Sequence, residues 1–184
     1  MRKIVVSEFL SADGVMEAPD TWQFPFQTEE MGAITERQTR NTDAFMLGRA
    51  TYEIFAGFWP TMTNNEFGVA DRWNSAPKYV VSTTLQKADW NNSTLIGFNV
   101  IEEIRKLKQK PGGNIGIIGS ATLVHSLLDA DLVDEIQVLM HPIVLGSGVR
   151  LFVDGGRRAP MTLADSQVLA NGVVFLTYQI EHQA

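Results

Sequence analysis

The stretch Phe45–Tyr52, FMLGRATY, joins a buried apolar strand to the start of a helix and decides how the rest of the chain is interpreted. The first turn of a helix carries unpaired N–H groups and the positive end of the helix dipole, so phosphate oxygens bind there favourably. Gly48 permits a close backbone approach, Arg49 adds a planar charged fork, and Thr51 adds a hydroxyl group. The pattern predicts a phosphate site, and a tight turn followed by a solvated arginine is the plainer alternative.

A second junction of the same kind follows later in the chain. In Ile115–Leu123, IGIIGSATL, a β-branched run ends at Gly119-Ser120 and a helical face begins. Between the two junctions, the short apolar strand before Ser82 and Thr83 ends in hydroxyl groups that offer neutral hydrogen-bond donors. Three such sites, each at the carboxyl end of a strand, favour one extended dinucleotide ligand.

Hydrophobic periodicity predicts an α/β protein with one domain over residues 1–184. Helices are predicted at 28–39, 50–58 and 121–128, with a further helix that Asn99 caps and 111–114 ends. Strands are predicted at 3–10, 44–47, 79–82, 94–97, 115–118, 135–145, 150–153, 161–169 and 173–180. Asn171-Gly172 between the last two strands is a strong hairpin signal. The order predicts a mixed, mainly parallel sheet with helices on both faces and a C-terminal antiparallel hairpin.

Four motifs are similar, in the same order, to those of one enzyme family. They are Gly48–Tyr52, Gly119-Ser120, Leu132–Ile136 and Pro142–Phe152. Together they resemble the dihydrofolate reductase superfamily, and most closely its stand-alone branch related to the reductase domain of riboflavin biosynthesis proteins. The resemblance implies a dihydrofolate-reductase-like three-layer fold with NADPH as the cofactor.

The resemblance also implies roles for the residues of the three phosphate sites. Arg49, Ser82 and Thr83 would contact the 2′-phosphate of NADPH. The pyrophosphate and its surroundings would be held by Gly48, Thr51, Gly119, Ser120, Ala121, Thr122 and Leu123.

The substrate side departs from the folate enzymes at one position. The loop Trp22–Phe26 is similar to their active-site loop, yet Gln27 stands where they keep a carboxylate, and an amide supplies no titratable proton. The resemblance implies that Trp22, Gln27 and Met31 line the substrate pocket. No catalytic residue is assigned; the candidate proton sources are Asp13, which also fits an ordinary Asp-Gly turn, and an ordered water.

Composition excludes several classes of function. The net charge of −6 argues against a nucleic-acid surface, which needs clustered positive charge. The chain has no cysteine, and its three histidines show no metal-ligand spacing, so no metal site is expected. One of them, His141, fits a structural histidine better than a proton donor. The absence of a signal-like apolar run or a membrane-length apolar stretch predicts a cytoplasmic protein without membrane contact.

These inferences combine into an NADPH-dependent reductase that transfers hydride to a small planar heterocyclic or carbonyl substrate, pterin- or pyrimidinone-like. Two alternatives stay open: a non-catalytic nucleotide or flavin binder, and a dimeric interaction module on the same fold. A homodimer is expected, because the predicted strand Glu135–Leu145 is strongly apolar and would be exposed if it formed the edge of the sheet.

Overall fold

The structure, a computed structural model, describes residues 1–182 and alternates strands with helices along most of that length. The strands are β1 (Ile4–Ser11), β2 (Thr42–Gly48), β3 (Lys78–Val81), β4 (Ser93–Ile96), β5 (Asn114–Ile117), β6 (Glu135–His141), β7 (Met161–Val168) and β8 (Val174–Ile180). The α-helices are α1 (Glu29–Arg40), α2 (Arg49–Phe58), α3 (Ala70–Ser75), α4 (Val100–Gln109) and α5 (Ala121–Asp129).

The strands form one sheet in the order β4-β3-β2-β5-β1-β6-β8-β7. All neighbours from β4 to β6 are parallel, whereas β8 is antiparallel to both β6 and β7. The turn between β7 and β8 contains Asn171 and Gly172, and Gly172 has the positive φ of 83° that glycine adopts readily. The predicted fold class, including the C-terminal antiparallel hairpin, is confirmed.

Helices cover both faces of the sheet, as predicted. Side chains of α4 and α5 pack with Ile4, Val6 and Ile136 on one face. On the other face α1 packs against Leu139, while α2 and α3 pack against Phe45. Strand residues alternate between these layers because successive side chains of a strand point to opposite faces.

Two predicted strands differ from the structure in ways that matter later. The strand predicted at Glu135–Leu145 ends at His141, because Pro142 has no N–H to continue the ladder. The segment 150–153 forms only the bridge between Val15 and Arg150. Strand β6 lies between β1 and β8 and is therefore not an edge strand, and all of its residues are buried or half-buried. The argument for a homodimer from this strand is wrong.

A buried ion pair fastens the start of β6 to α4 and β1. Lys108 of α4 donates from Nζ to the Asp134 carboxylate and to the Leu132 carbonyl oxygen, which is 2.7 Å away. The same carboxylate accepts the backbone N–H of Ile4 at 2.7 Å. The side chain of Lys108 is 6% exposed and that of Asp134 is 16% exposed. Asp134 belongs to the Leu132–Ile136 motif, so this motif has a structural role.

The helices of this protein are short compared with a membrane span. In the part of the chain that the structure describes, the longest helix is α1 with 12 residues, whereas a transmembrane helix needs about 20. No helix of residues 1–182 has the length and apolarity of a membrane span.

Candidate functional site

The predicted phosphate sites at 48–51 and 119–123 lie together at the carboxyl edge of the sheet. They form one candidate phosphate-binding site, the seat. The backbone N–H of Gly48 donates to Ser120 Oγ at 2.8 Å, across 72 residues of sequence. The Ser120 hydroxyl donates in turn to Thr51 Oγ1 at 2.9 Å. The starts of α2 and α5 are therefore joined directly, and two helix N-termini open onto the same space.

Gly119 is required for this close approach. It has a φ of +64°, and a Cβ atom added to it would stand 2.9 Å from Thr51 Oγ1. Ser120 follows with a φ of 62°, a left-handed conformation that is uncommon for residues other than glycine. Such conformations persist where the surrounding structure holds them, and they concentrate at ligand sites.

The first turn of α5 has no side-chain cap. Ser120 occupies the N-cap position but makes no capping bond, because its hydroxyl is bound to Gly48 and Thr51 instead. The first intrahelical bond of the turn is from the N–H of Val124 to the Ser120 carbonyl oxygen. Three earlier N–H groups therefore lack a capping side chain and could bind an oxyanion. They belong to Ala121, Thr122 and Leu123.

Arg49 links this seat to the end of β3. Its side chain is half exposed, and it donates from Nε to Glu53 Oε1 at 2.8 Å and from Nη1 to Thr84 Oγ1 at 2.9 Å. Ser82 is buried and its Oγ accepts the N–H groups of Thr84 and Leu85 at 3.2 and 3.0 Å, so Ser82 shapes this turn.

Thr83 in the same turn is exposed. The sequence placed Thr84 in the run of hydroxyl residues but not among the site residues, and only the contact with Arg49 identifies it.

A notch separates β1 from β5 at the same edge of the sheet. Register pairs between these strands end at Val6 and Ile117, while pairs between β1 and β6 continue to Ser11 and His141. The second half of β1 therefore has a strand partner on its β6 side only. An unpaired strand edge presents backbone N–H and C=O groups that can pair with a ligand, as added strands do in peptide recognition.

Asp13, the candidate proton donor, holds the loop that follows β6. Its carboxylate accepts the N–H groups of Leu145 and Gly146 at 3.0 and 2.9 Å, the Ser11 hydroxyl at 2.7 Å and the Arg150 guanidinium at 3.4 Å. The Ser11 hydrogen bond, followed by those of the two backbone N–H groups, holds the pKa of Asp13 well below its usual range. These contacts favour an anchoring role, because an ionised carboxylate has no proton to donate.

Glu8 is a buried carboxyl group that the sequence analysis missed. Its residue is 7% exposed, its Oε1 atom has no hydrogen-bond partner, and burial raises the pKa of its side chain well above the usual range, with the Gly119 N–H partly opposing that shift. A charged residue in the middle of the otherwise uncharged strand IVVSEFLS was the available signal.

His141 lies at the end of β6 in a box of aromatic rings. Its Nδ1 is 2.8 Å from the Leu139 carbonyl oxygen and 3.2 Å from that of Leu10, so this nitrogen carries the hydrogen atom. Its Nε2 is buried without a partner, and burial lowers the pKa of the imidazole. The ring centroids of three aromatic side chains lie 5.1 to 5.6 Å away in edge-on arrangements; they are Phe9, Trp22 and Phe26.

The three predicted substrate residues occupy different environments. Trp22 is buried against His141, with its Nε1 bonded to the Glu17 carbonyl oxygen at 2.9 Å. Gln27 is exposed at the end of a short 3-10 turn. Met31 is 1% exposed and packs in the core under α1. The structure thus brings Trp22 to the histidine, leaves Gln27 at the surface and places Met31 in the core.

An open cavity of about 730 Å³ lies away from these residues, between α2, α3 and the segment before β4. Its lining includes Asn74 and Trp90 but none of the predicted site residues. We place the functional site at the carboxyl edge of the sheet, because the left-handed pair Gly119-Ser120, the uncapped start of α5 and the unpartnered buried atoms of Glu8 and His141 lie there. Within residues 1–182, no three His, Cys, Asp or Glu side chains converge in a metal-binding arrangement.

Comparison with known proteins identifies the family. The profile of the RibD C-terminal domain family matches residues 2–175. The chain belongs to this family. Two relatives of this RibD-type chain occur in Bacillus subtilis (strain 168). The uncharacterized protein YyaP is 33% identical over 141 residues, which are 74% of this chain and 73% of YyaP. The uncharacterized protein YwjB is 29% identical over 154 residues, which are 82% of this chain and 83% of YwjB.

Solved structures show the same fold. A putative riboflavin biosynthesis protein from Shewanella sp. PV-4 has a TM-score of 0.76 at 21% identity, covering 98% of this chain and 99% of its own. A pyrimidine reductase-like protein from Corynebacterium diphtheriae has a TM-score of 0.64 at 14% identity, and the match covers 99% of this chain and 93% of that protein. Dihydrofolate reductase from Enterococcus faecalis, complexed with NADP(H), has a TM-score of 0.63 at 16% identity, and the match covers 97% of this chain and 96% of that enzyme. The RibD-type domain therefore has a dihydrofolate-reductase-like fold, as predicted.

Proposed function

We propose that this protein is an NADPH-dependent reductase that acts on a small planar heterocyclic or carbonyl compound, pterin- or pyrimidinone-like. One observation carries the proposal: Ser120 joins the starts of two helices into one seat, with Arg49 and the β3 turn at one side and the notch of β1 at the other. A seat of this shape suits a dinucleotide, because it offers sites for two separated phosphates and an edge for a ring amide.

The 2′-phosphate would bind at Arg49. A guanidinium is suited to bidentate phosphate contacts, and its present partners, Glu53 and Thr84, are exposed. Thr83 and Thr84 add hydroxyl donors there. Ser82 supports the site by shaping the turn, since its own oxygen already accepts two N–H groups.

The pyrophosphate would bind at the start of α5. The N–H groups of Ala121, Thr122 and Leu123 and the dipole of a nine-residue helix favour an anion there. Thr51 and Gly119 leave room for it, because a side chain at position 119 would meet the Thr51 hydroxyl. The nicotinamide carboxamide, with both donors and an acceptor, would pair with the open edge of β1.

NADPH, when bound, supplies a hydride for an electrophilic C=N or C=O carbon. The chain aligns the reactants and excludes water. Gln27 would face the substrate with Trp22 beside it, while Met31 supports this side from the core and the buried His141 packs behind Trp22. Because Asp13 is ionised and fully engaged, we assign the proton for the product to an ordered water rather than to Asp13.

Cofactor preference tests the proposal. Replacing Arg49 with alanine is expected to weaken NADPH binding by about ten- to a hundred-fold, because a charge-assisted phosphate contact is lost, and to leave NADH binding nearly unchanged. Fluorescence titration of both cofactors measures this. Arg105→Ala on the exposed side of α4 removes the same charge and should change neither affinity. Equal losses for NADPH and NADH in Arg49→Ala would reject the assignment of Arg49.

Turnover separates a reductase from a non-catalytic nucleotide or flavin binder. NADPH oxidation is followed with a panel of pterins, pyrimidinones and quinonoid acceptors. We expect at least one pterin- or pyrimidinone-like compound to raise the rate above that of buffer. Cofactor binding with a buffer rate for the whole panel would favour the binder.

We also propose a homodimer, on a different strand from the one predicted. Strand β7 forms one edge of the sheet, and all its side chains except Gln167 are exposed, including Leu163 at 51% and Val168 at 75%. Covering this edge with a second copy would remove unpaired backbone groups and apolar surface from water. Sedimentation velocity at micromolar concentration is expected to show a dimer that Val168→Lys weakens. Phe98→Lys, at a side chain that is 88% exposed and lies elsewhere, is the control. A monodisperse monomer of the unmodified protein would contradict the proposal.

A further inference from the structure

Glu8 has no role in the seat described above, yet the fold keeps it buried beside that seat. An unpartnered buried carboxyl oxygen destabilises a protein, because it has lost its hydrogen bonds to water without gaining others. The Glu8 side chain lies on the same face of the sheet as Val6 and Leu10, the face that α5 covers. The N–H of Gly119, the residue that leads into α5, lowers the pKa of this carboxyl group and partly opposes the effect of burial.

The notch begins at this point of β1. The last register pair with β5 joins Val6 to Ile117, two residues before Glu8 and Gly119 respectively. The carboxyl group of Glu8 therefore stands between the open edge of β1 and the start of α5. A ring that pairs with this edge would lie beside the unpartnered Oε1.

Among residues 1–182, no cationic side chain contributes to the pKa of Glu8. On β6, its register neighbour is Val138, and the titratable residues Glu135 and His141 lie on the opposite face of that strand. On α5, His125 is engaged with the carbonyl oxygens of Arg150 and Leu151. Burial and the Gly119 N–H are the causes of the pKa shift of Glu8, with no side-chain charge among them. A counterion for ionised Glu8 would have to come from a ligand.

We propose that Glu8 discriminates between the oxidation states of the nicotinamide cofactor. Neutral Glu8 accompanies the reduced ring, which carries no charge, and ionised Glu8 is the counterion of the positively charged oxidised ring. The inference rests on the proposed function, because it needs the nicotinamide ring in the notch.

The sign of the pH dependence follows from this pairing. In the empty protein burial raises the pKa of Glu8 above the ordinary value of 4.5, and the positive ring lowers it again in the oxidised complex. Binding of NADP⁺ therefore releases a proton in the range between these two pKa values. The affinity for NADP⁺ should rise with pH in that range, by up to about tenfold per pH unit, while the affinity for NADPH lacks this increase.

The experiment measures the dissociation constants of NADP⁺ and NADPH across a pH series by calorimetry, in two buffers with different ionisation enthalpies. The ratio of the two constants cancels effects common to both cofactors, such as titration of the 2′-phosphate. In the unmodified protein, the ratio for NADP⁺ over NADPH should fall as pH rises, with proton release on NADP⁺ binding only. Glu8→Gln, a neutral isostere, should make the ratio independent of pH and abolish the proton release.

Two further variants complete the design. Glu102→Gln on the exposed surface of α4 removes one negative charge far from the site and should behave as the unmodified protein. Glu8→Met repeats the test if the glutamine variant is poorly folded, as judged by circular dichroism. An unchanged pH dependence of the ratio in folded Glu8 variants would overturn the inference and leave the proposed function standing. Absence of binding by both cofactors would overturn the proposed function and the inference with it.

Discussion

Replacement of Asp134 with alanine is expected to lower the free energy of unfolding by about 3–5 kcal/mol. The loss has two sources. Lys108 Nζ keeps its 2.7 Å contact with the Leu132 carbonyl oxygen but becomes a buried charge without a counterion, and the N–H of Ile4 loses its acceptor. Urea denaturation followed by circular dichroism measures the change.

Two variants separate this mechanism from a general effect of the mutation. Asp89→Ala removes a carboxylate from an ion pair in which both side chains, Lys87 and Asp89, are exposed, and it should leave the free energy of unfolding nearly unchanged. Adding Lys108→Met to Asp134→Ala should recover part of the loss, since it removes the unpaired buried charge. A loss below about 1 kcal/mol for Asp134→Ala would show that the ion pair contributes little.

Dihydrofolate is expected to be a poor substrate. Gln27 stands where folate reductases keep a carboxylate, and general acid catalysis is typically worth about 10²- to 10⁴-fold in rate. Gln27→Glu and Gln27→Asp should therefore raise any trace activity with dihydrofolate, most strongly at acidic pH, where more of the new carboxyl group carries its proton. Stopped-flow or steady-state NADPH oxidation at several pH values measures the gain.

The surroundings of Gln27 make this substitution practical. The residue is exposed at the end of the turn Phe24–Phe26, so a carboxylate there requires no burial of charge. Gln27→Met, which has a similar length and no titratable proton, is the matched control and should give no gain. Equilibrium binding of dihydrofolate completes the test: measurable affinity with no gain from either carboxylate would reject the missing-acid account. Absence of affinity would assign the pocket to a different substrate.

Much of the architecture was predictable because it depends on local patterns. The strand–helix alternation, the seat residues Gly48 and Ser120, and the Asn171-Gly172 hairpin all follow from hydrophobic periodicity and turn chemistry over a few residues. The predicted strand at 135–145 was too long, because its apolar pattern was followed past the residue where pairing ends. The apolar run after Glu135 continues beyond Pro142, but the ladder stops before that proline.

In the candidate site, too, residue types were predictable from the sequence and contacts between distant segments were not. Sequence motifs indicated Arg49 and Gly119, but the contacts of Arg49 with Thr84 and of Ser120 with Gly48 join segments that are 35 and 72 residues apart. Asp13 could be singled out as an acidic residue, yet its lowered pKa depends on N–H groups of a loop more than 130 residues away.

The sequence by itself determined the kinds of element in this protein and the chemistry available at the carboxyl ends of its strands. Tertiary structure alone decided that β6 is interior, that β1 has an open edge beside β5, and that Glu8 is buried without a counterion. The physical reason is that propensity and periodicity act over one or two turns of chain. Strand order, register and burial depend on pairing and packing free energies between distant segments, which local patterns do not specify.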